Sequence, residues 1–227
     1  NYMGGFEDRT LLNSLVGVKY IFSKNPIKQP GLVFIKKVNG IDIYQNKTVL
    51  PMGFLYNTVI NPKWFSKLKK EQKDKALFVG VLLDEPWIMA QAEVNKKADI
   101  LAQLPIINHI SMDQSRMDEK VRQLQQTAVQ IEQFEQENIK GWFEAKNKSV
   151  LFFSIPYNRG WKASIDEQKA TIMSVNNGFI GIPVKTGKHR IRLSFEPYGK
   201  KVGTYLSIST LFIVGVLSLY KRHWMDV

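Results

Sequence analysis

The chain has 227 residues, no cysteine and a formal net charge of +12, and 44% of its residues are hydrophobic, which suffices for a packed core and argues against disorder. Without cysteine there is neither a disulfide framework nor a thiolate site, and the three histidines His109, His189 and His223 lack paired metal-ligand spacing. The charge favours anionic partners, whether phospholipid headgroups, phosphate-backboned wall polymers or nucleic acid, with a merely solvated basic face as the plain alternative.

The chain opens at Asn1 with no charged-then-apolar leader, so it reads as a fragment of a longer protein. Asp8 is placed to cap a short helix carrying Leu11, Leu12, Leu15 and Val16 on one face, with Gly17 as its stop. A strand is expected at 18–22, then two more at 32–37 and 41–45 joined through Asn39-Gly40, the strongest hairpin signal in the sequence. Leu50-Pro51-Met52-Gly53-Phe54 breaks the chain before a short strand at 55–60. Asn61-Pro62 starts a helix with Trp64, Phe65 and Leu68 on its apolar side. A second helix at 73–83 is expected to stop at Asp84-Glu85-Pro86, and 87–104 has no clear period. The alternation over 106–112 suits a strand loosely. Residues 118–134 fit a helix through Val121, Leu124, Ala128 and Ile131, or a strand near Val129 and Ile131; we place a helical or irregular piece to about 126 and strands beyond it.

From 150 to 197 short strands alternate with turns: 150–155, 161–165, 170–175, 179–184 and 189–196, separated by Asn158-Arg159-Gly160, Asp166-Glu167-Gln168, Asn176-Asn177-Gly178 and Lys185-Thr186-Gly187. In the last strand Ile191, Leu193 and Phe195 face one way and Arg190, Arg192 and Ser194 the other, while Pro183 assigns its strand to an edge or bulge. The fold class is therefore mainly β with α (α+β). An antiparallel β-sandwich or jelly-roll-like domain spans 127–200, preceded by a smaller α/β part.

The uncharged run 202–220 is followed at once by Lys221, Arg222 and His223, and then by Trp224. About 19 residues at 1.5 Å rise give roughly 28 Å, near the hydrocarbon thickness of a bilayer, so a transmembrane helix is expected, with a buried core helix as the alternative. Lys221 and Arg222 favour a cytoplasmic C-terminus, although Lys200 and Lys201 flank the other side. The chain thus divides into an α/β part at 1–115 containing the hairpin 32–45, a sandwich-like part at 116–201, a transmembrane helix at 202–220 and a cytoplasmic tail at 221–227. Residues 1–201 are expected to be extracytoplasmic. The tail residues Lys221, Arg222 and Asp226 supply +1 of the charge, leaving +11 on that region.

Chemistry is sparse in the sequence. Thr186-Gly187-Lys188-His189 lacks the glycine pattern of a phosphate loop, and there is no nucleophile elbow or dinucleotide fingerprint, so no cofactor is expected. Asp84-Glu85, Asp166-Glu167 and Glu144 with Glu196 are the candidate carboxylate pairs, with their separations open; no catalytic residue is assigned. The best candidate site is a glycan platform of Tyr157, Asn158, Arg159 and Trp161 around the 156–160 turn with nearby Asp166: an aromatic ring meets sugar C–H faces while amide, guanidinium and carboxylate bond hydroxyls. The opposing reading makes Trp161 a core residue. Nucleic acid is not expected as a partner, since the lysines are dispersed and no recognition motif is evident.

The runs LFFSIPYNRGWKASID at 151–166 and NNGFIGIPVKTGKHRIRLSFEPYGKKVG at 176–203, with the final apolar stretch, resemble the C-terminal end of the YfhO family of bacterial multispanning membrane proteins. Leu15-Val16-Gly17-Val18-Lys19-Tyr20 and 50–54 are similar to other family motifs, whereas 60–125 carries little that is diagnostic. One departure is Asp166-Glu167 where members commonly have Asp-Gly, which questions a tight turn there. The resemblance implies a lipid-linked-sugar-dependent glycosyltransferase that decorates teichoic acid outside Gram-positive cells, with its catalytic carboxylate in an earlier loop. This chain would then be an accessory, acceptor-positioning region next to the upstream transmembrane part of the same protein. The alternative is a non-enzymatic, membrane-anchored binding or scaffold module for anionic cell-wall polymer.

Overall fold

The computed structural model describes residues 9–84, 99–110, 113–197 and 199–225, with side chains of the last helix described from 202 to 217. The proposed cap Asp8 and the carboxylate Glu85 lie outside these residues. Helix α1 (Thr10–Leu15) ends at Val16, and Gly17 at φ +81° turns the chain into β1 (Tyr20–Ser23). Strands β2 (Leu32–Val38) and β3 (Ile41–Asn46) form the expected hairpin, with Asn39 at φ 49° and Gly40 at φ 80°, the paired left-handed conformation that matches strand twist. These strands make a three-stranded sheet of order β1-β3-β2, with a bulge between Phe34 and Lys36.

The centre of the molecule is a stack of two antiparallel sheets and a layer of helices. Five strands, β7 (Gln130–Glu135), β8 (Asn138–Ala145), β10 (Trp161–Ile165), β11 (Gln168–Ala170) and β14 (Gly187–Phe195), pair in the order β11-β10-β14-β8-β7. Four others, β4 (Gly53–Tyr56), β9 (Ser149–Pro156), β12 (Met173–Val175) and β13 (Phe179–Val184), pair as β12-β13-β9-β4. The four-stranded sheet is covered on both faces. Leu151 and Phe153 of β9 meet Ile139, Phe143, Ile191 and Leu193 of the other sheet, while Val150 and Phe152 pack with Phe54 and Tyr56 against the helices. That is why Val150-Leu151-Phe152-Phe153 is a continuous apolar run with no exposed member, whereas β14, covered on one side only, alternates. Pro183 sits opposite Val150, and β12 ends opposite Gly181, so Pro183 has no strand on its other side to donate to.

The helical layer holds α2 (Pro62–Ser66), α3 (Lys70–Val79), α4 (Asp99–Ala102) and α5 (Gln114–Gln126). Asn61 caps α2 as expected, accepting from the backbone N–H of Lys63 and Trp64. Helix α3 stops earlier than the sequence suggests, at Gly80, because Val81 and Leu83 leave as extended chain to bridge Val59 and Val175. Residues 106–112 yield only the two-residue strand β6 (Ile106–Ile107), parallel to β5 (Val59–Ile60); residues 111 and 112 lie outside the described set. The ambiguous stretch 118–134 divides as expected into helix to Gln126 and strand from Gln130, with the Asp113 carboxylate capping Arg116 N–H and Met117, Val121 and Leu124 buried on one helix face. The strand expected at 170–175 is two strands in different sheets, since the chain crosses the sandwich between Ala170 and Met173.

The last helix, α6 (Lys200–Met225), carries the apolar run, and its described side chains from Val202 to Leu217 are exposed. Among the described residues, however, no helix is long and apolar enough to cross a membrane. The span expected over 202–220 runs past these residues, whose side chains are described only to Leu217; within them Gly203, Ser207, Ser209, Thr210 and Gly215 interrupt the apolar run. Thr204 and Thr210 donate their hydroxyls to the helix's own carbonyls at Lys200 and Leu206, 2.9 and 2.8 Å away.

Candidate functional site

Strand alternation that buries Ile191 and Leu193 sends Lys188, Arg190 and Arg192 to the outer face of the five-stranded sheet. The register places Arg190 opposite Trp142 and Arg192 between Lys140 of β8 and Ser164 of β10, with Lys169 of β11 one strand further. Lys162 is exposed at the start of β10 and pairs with Glu196. Lys188 reaches over the half-buried Trp142 ring, 4.2 Å from its centroid. Arg192 Nε donates to Asn138 Oδ1 at 3.1 Å, which fixes the guanidinium without neutralising it. Like charges directly opposite in a sheet repel. Arg192 and Lys140 therefore form a site whose self-repulsion an anion would relieve.

One end of this face carries a second cluster. The β10–β11 turn is made without glycine: Asp166 and Glu167 adopt φ 49° and 66°. An aspartate tolerates this conformation when its side chain bonds locally, and here Asp166 accepts from His189 Nδ1 at 2.7 Å and from Arg190 N–H at 2.8 Å. These hydrogen bonds, the histidine's first, hold the Asp166 carboxyl below its ordinary range. The departure from Asp-Gly is thus compensated by a neighbouring strand. His189 stacks near Phe143, ring centroids 5.5 Å apart, and a Cβ on Gly187 would come within 3.1 Å of its ring. Its Nε2 is buried without a partner among the described residues. Glu132, Trp142, Asp166, Lys188, His189 and Arg190 enclose a hollow of about 460 Å³.

The family model of the bacterial membrane protein YfhO matches residues 1–103 and 96–207. The chain belongs to the YfhO family. No curated protein and no solved structure matches it. The two matched stretches cover both the three-stranded sheet and the stacked sheets, so the whole folded part belongs to a YfhO-family membrane protein.

Within this YfhO-family fold the residues proposed from sequence fall into two groups. Tyr157, Asn158 and Arg159 are exposed together in the β9–β10 turn, which is held by Asn158 Oδ1 accepting from Gly160 N–H at 2.8 Å and by Tyr157 N–H donating to Gly178 O at 2.7 Å. Trp161 is half-buried, its ring 5.0 Å from that of Phe195 and packed on the inner core. Asp166 follows Ile165 at the far end of β10, whose four steps from Trp161 span about 13 Å at 3.3 Å per residue. Of the carboxylate pairs, Asp166 and Glu167 share one turn, Glu144 and Glu196 lie apart, and Glu85 is outside the described residues. Asp84 is engaged by Ser174, Asn177 N–H and Gly178 N–H. Glu144 is opposite Lys188, eight residues and about 27 Å from Glu196 along β14. Among the described residues no group of His, Asp and Glu is arranged to hold a metal.

Sequence reasoning saw Arg190 and Arg192 facing outward but missed Lys140 and Trp142, because only the nonlocal β8–β14 register brings them alongside. It also missed a cleft of about 310 Å³ between α5 and the sandwich, lined by Lys120, Thr127, Glu144 and Lys146 among others, where burial lowers the Lys120 pKa.

Proposed function

We propose that this chain is the acceptor-positioning region of a lipid-linked-sugar-dependent glycosyltransferase of the YfhO family, holding an anionic glycan polymer of the teichoic acid type outside a Gram-positive cell. The observation that supports it is the outer face of the five-stranded sheet, where Lys140, Lys188, Arg190 and Arg192 surround Trp142. Spaced cations suit the phosphates of a polyol-phosphate chain, and the indole suits a sugar face between them. The polymer runs from the hollow at Asp166 and His189 toward Lys162 and the exposed turn of Tyr157, Asn158 and Arg159. Glycosyl transfer itself is assigned to parts of the protein before Asn1.

In this reading the folded part faces the extracytoplasmic side and the exposed apolar surface of α6 sits in the membrane. A reporter fused after Val227 and a label at Lys169 test the arrangement in intact cells; labelling of Lys169 only after permeabilisation would overturn it. For the function, the full chain in detergent is titrated with teichoic acid at low and high salt. Binding should weaken steeply as the Debye length falls to about 8 Å at physiological ionic strength. Arg190→Glu with Arg192→Glu should lower affinity by about tenfold or more, each lost charge-assisted contact contributing about 1 kcal/mol or more. Unchanged binding in that double variant at low salt would refute the surface.

A further inference from the structure

The three-stranded sheet β1-β3-β2 is covered on one face along β1 and β3 and bare on the other, and its edge strand β2 is exposed on both. Its register aligns Tyr20, Gln45 and Val33 in one row and Phe22, Ile43 and Lys36 in the next, and the hairpin end adds Val38 opposite Ile41. The side chains of the opposite face, Asp42, Tyr44 and Asn46, are buried. On the bare face Phe22 is 66% exposed, Val33 48%, Tyr20 46% and Val38 42%. A one-sided antiparallel sheet ordinarily turns polar residues to water. Here the outward positions are aromatic and β-branched, a contiguous apolar patch of the kind that marks an interaction surface.

The charge around the patch identifies what it meets. Residues 17–49 hold six lysines, at 19, 24, 28, 36, 37 and 47, against one acidic residue, Asp42. Asp42 is 5% exposed and pairs with Lys37 at 3.1 Å, so the segment presents no free carboxylate. Lys36 projects from the apolar rows themselves, and Lys19 lies 5.7 Å from the Tyr20 ring centroid. Protein interfaces are depleted in lysine. A bilayer surface favours the same combination, since aromatic and aliphatic side chains enter the boundary between headgroups and acyl chains while lysines reach anionic phosphates. We propose that this face docks onto an anionic phospholipid bilayer, with the sheet lying flat on the membrane and Phe22, Val33 and Val38 entering it. The proposal rests on the membrane association of the family and is independent of polymer binding by the sandwich.

The chain is free of cysteine, so Phe22→Cys and Val33→Cys each give one labelling site for a small fluorophore. Ser115→Cys, exposed on α5, is the control. The labelled full-length chains are reconstituted in nanodiscs of phosphatidylcholine alone or with phosphatidylglycerol. Quenching by doxyl-labelled lipid and by aqueous iodide is then compared. Positions 22 and 33 should be quenched by lipid and shielded from iodide in the anionic discs, with the lipid quenching falling several-fold in neutral discs and in a Lys19→Glu, Lys24→Glu, Lys36→Glu background. Position 115 should respond to iodide alone. Equal iodide quenching at all three positions, or equal lipid quenching at all three, would overturn the proposal. So would shielding of 22 and 33 without lipid quenching, which would identify a protein, such as a second copy, as the occupant.

Discussion

At the scale of single residues, Asp166 shows how a local irregularity serves the surface beside it. Its left-handed backbone and its two hydrogen bonds tie the β10–β11 turn to β14 and hold Arg190 in register on the basic face. The folded carboxyl titrates below its ordinary value of 3.8. A depressed carboxyl contributes stability that is complete above the unfolded value and lost as pH falls through the folded one. Asp166→Asn keeps a residue that tolerates the left-handed conformation and can still accept from Arg190 N–H, while removing the charge. Its melting temperature should be below the parent's near neutral pH, with the gap narrowing as pH falls below 3.8 and the carboxyl takes up its proton; a gap that stays constant as pH falls would assign the turn's stability to shape alone. Leu193 and Arg192 offer a second contrast. Leu193→Asp introduces a carboxylate into a position with no exposure, at a cost of about 3 kcal/mol or more. Arg192→Asp, opposite Lys140, should leave thermal stability unchanged or raise it by relieving like-charge repulsion.

At the scale of elements, β4 is the piece on which the stacking depends. It pairs with β9 in the four-stranded sheet, and Gly53 stands where a Cβ would meet the Phe153 ring at 2.7 Å and Val129 at 2.8 Å. Gly53→Ala should therefore destabilise by about 1–3 kcal/mol through overpacking, measured by chemical denaturation, and more than the loss of glycine flexibility would predict. Elements marked by local chemistry were readable in the sequence: the Asn39-Gly40 hairpin, the Asn61 cap and the regular strands between 149 and 195. Elements set by distant partners were not. The β4–β9 pairing, the parallel β5–β6 contact and the crossing of the chain between β11 and β12 are determined by which surface each strand covers, and hydrophobic period does not carry that information. Helix α5 was ambiguous because its polar face is long and its apolar face reduces to Met117, Val121 and Leu124, which become a core stripe only when packed against Phe54 and its neighbours. The same limit applies to the site. Single-strand alternation revealed Arg190 and Arg192, while Trp142 and Lys140 join them through cross-strand register, and Asp166 separates from Tyr157 and Arg159 because the length of β10 lies between them.

At the scale of the whole molecule, the two ends of the chain share one interior. The core cluster on the helical side runs from Leu12 and Leu15 through Phe54, Phe78 and Val121 to Phe152, Met173 and Val175, and the ion pair of Arg9 with the buried Asp74 closes its rim. Removing residues 1–115 would strip β4 from β9 and expose Val150 and Phe152 to water on one face, leaving the inner strand of a stacked sheet as a bare edge. Each large apolar side chain so exposed forfeits about 1.5–3 kcal/mol, comparable with a fair fraction of a domain's net stability. A piece beginning at residue 116 should accordingly fail to fold or should aggregate, and the full chain should unfold in one cooperative transition. Denaturation followed at once by tryptophan fluorescence and far-ultraviolet circular dichroism tests this. Trp64 and Trp161 report from the helical layer and the sandwich, and two separated transitions, or a folded piece from residue 116, would show that the sandwich holds its shape without β4.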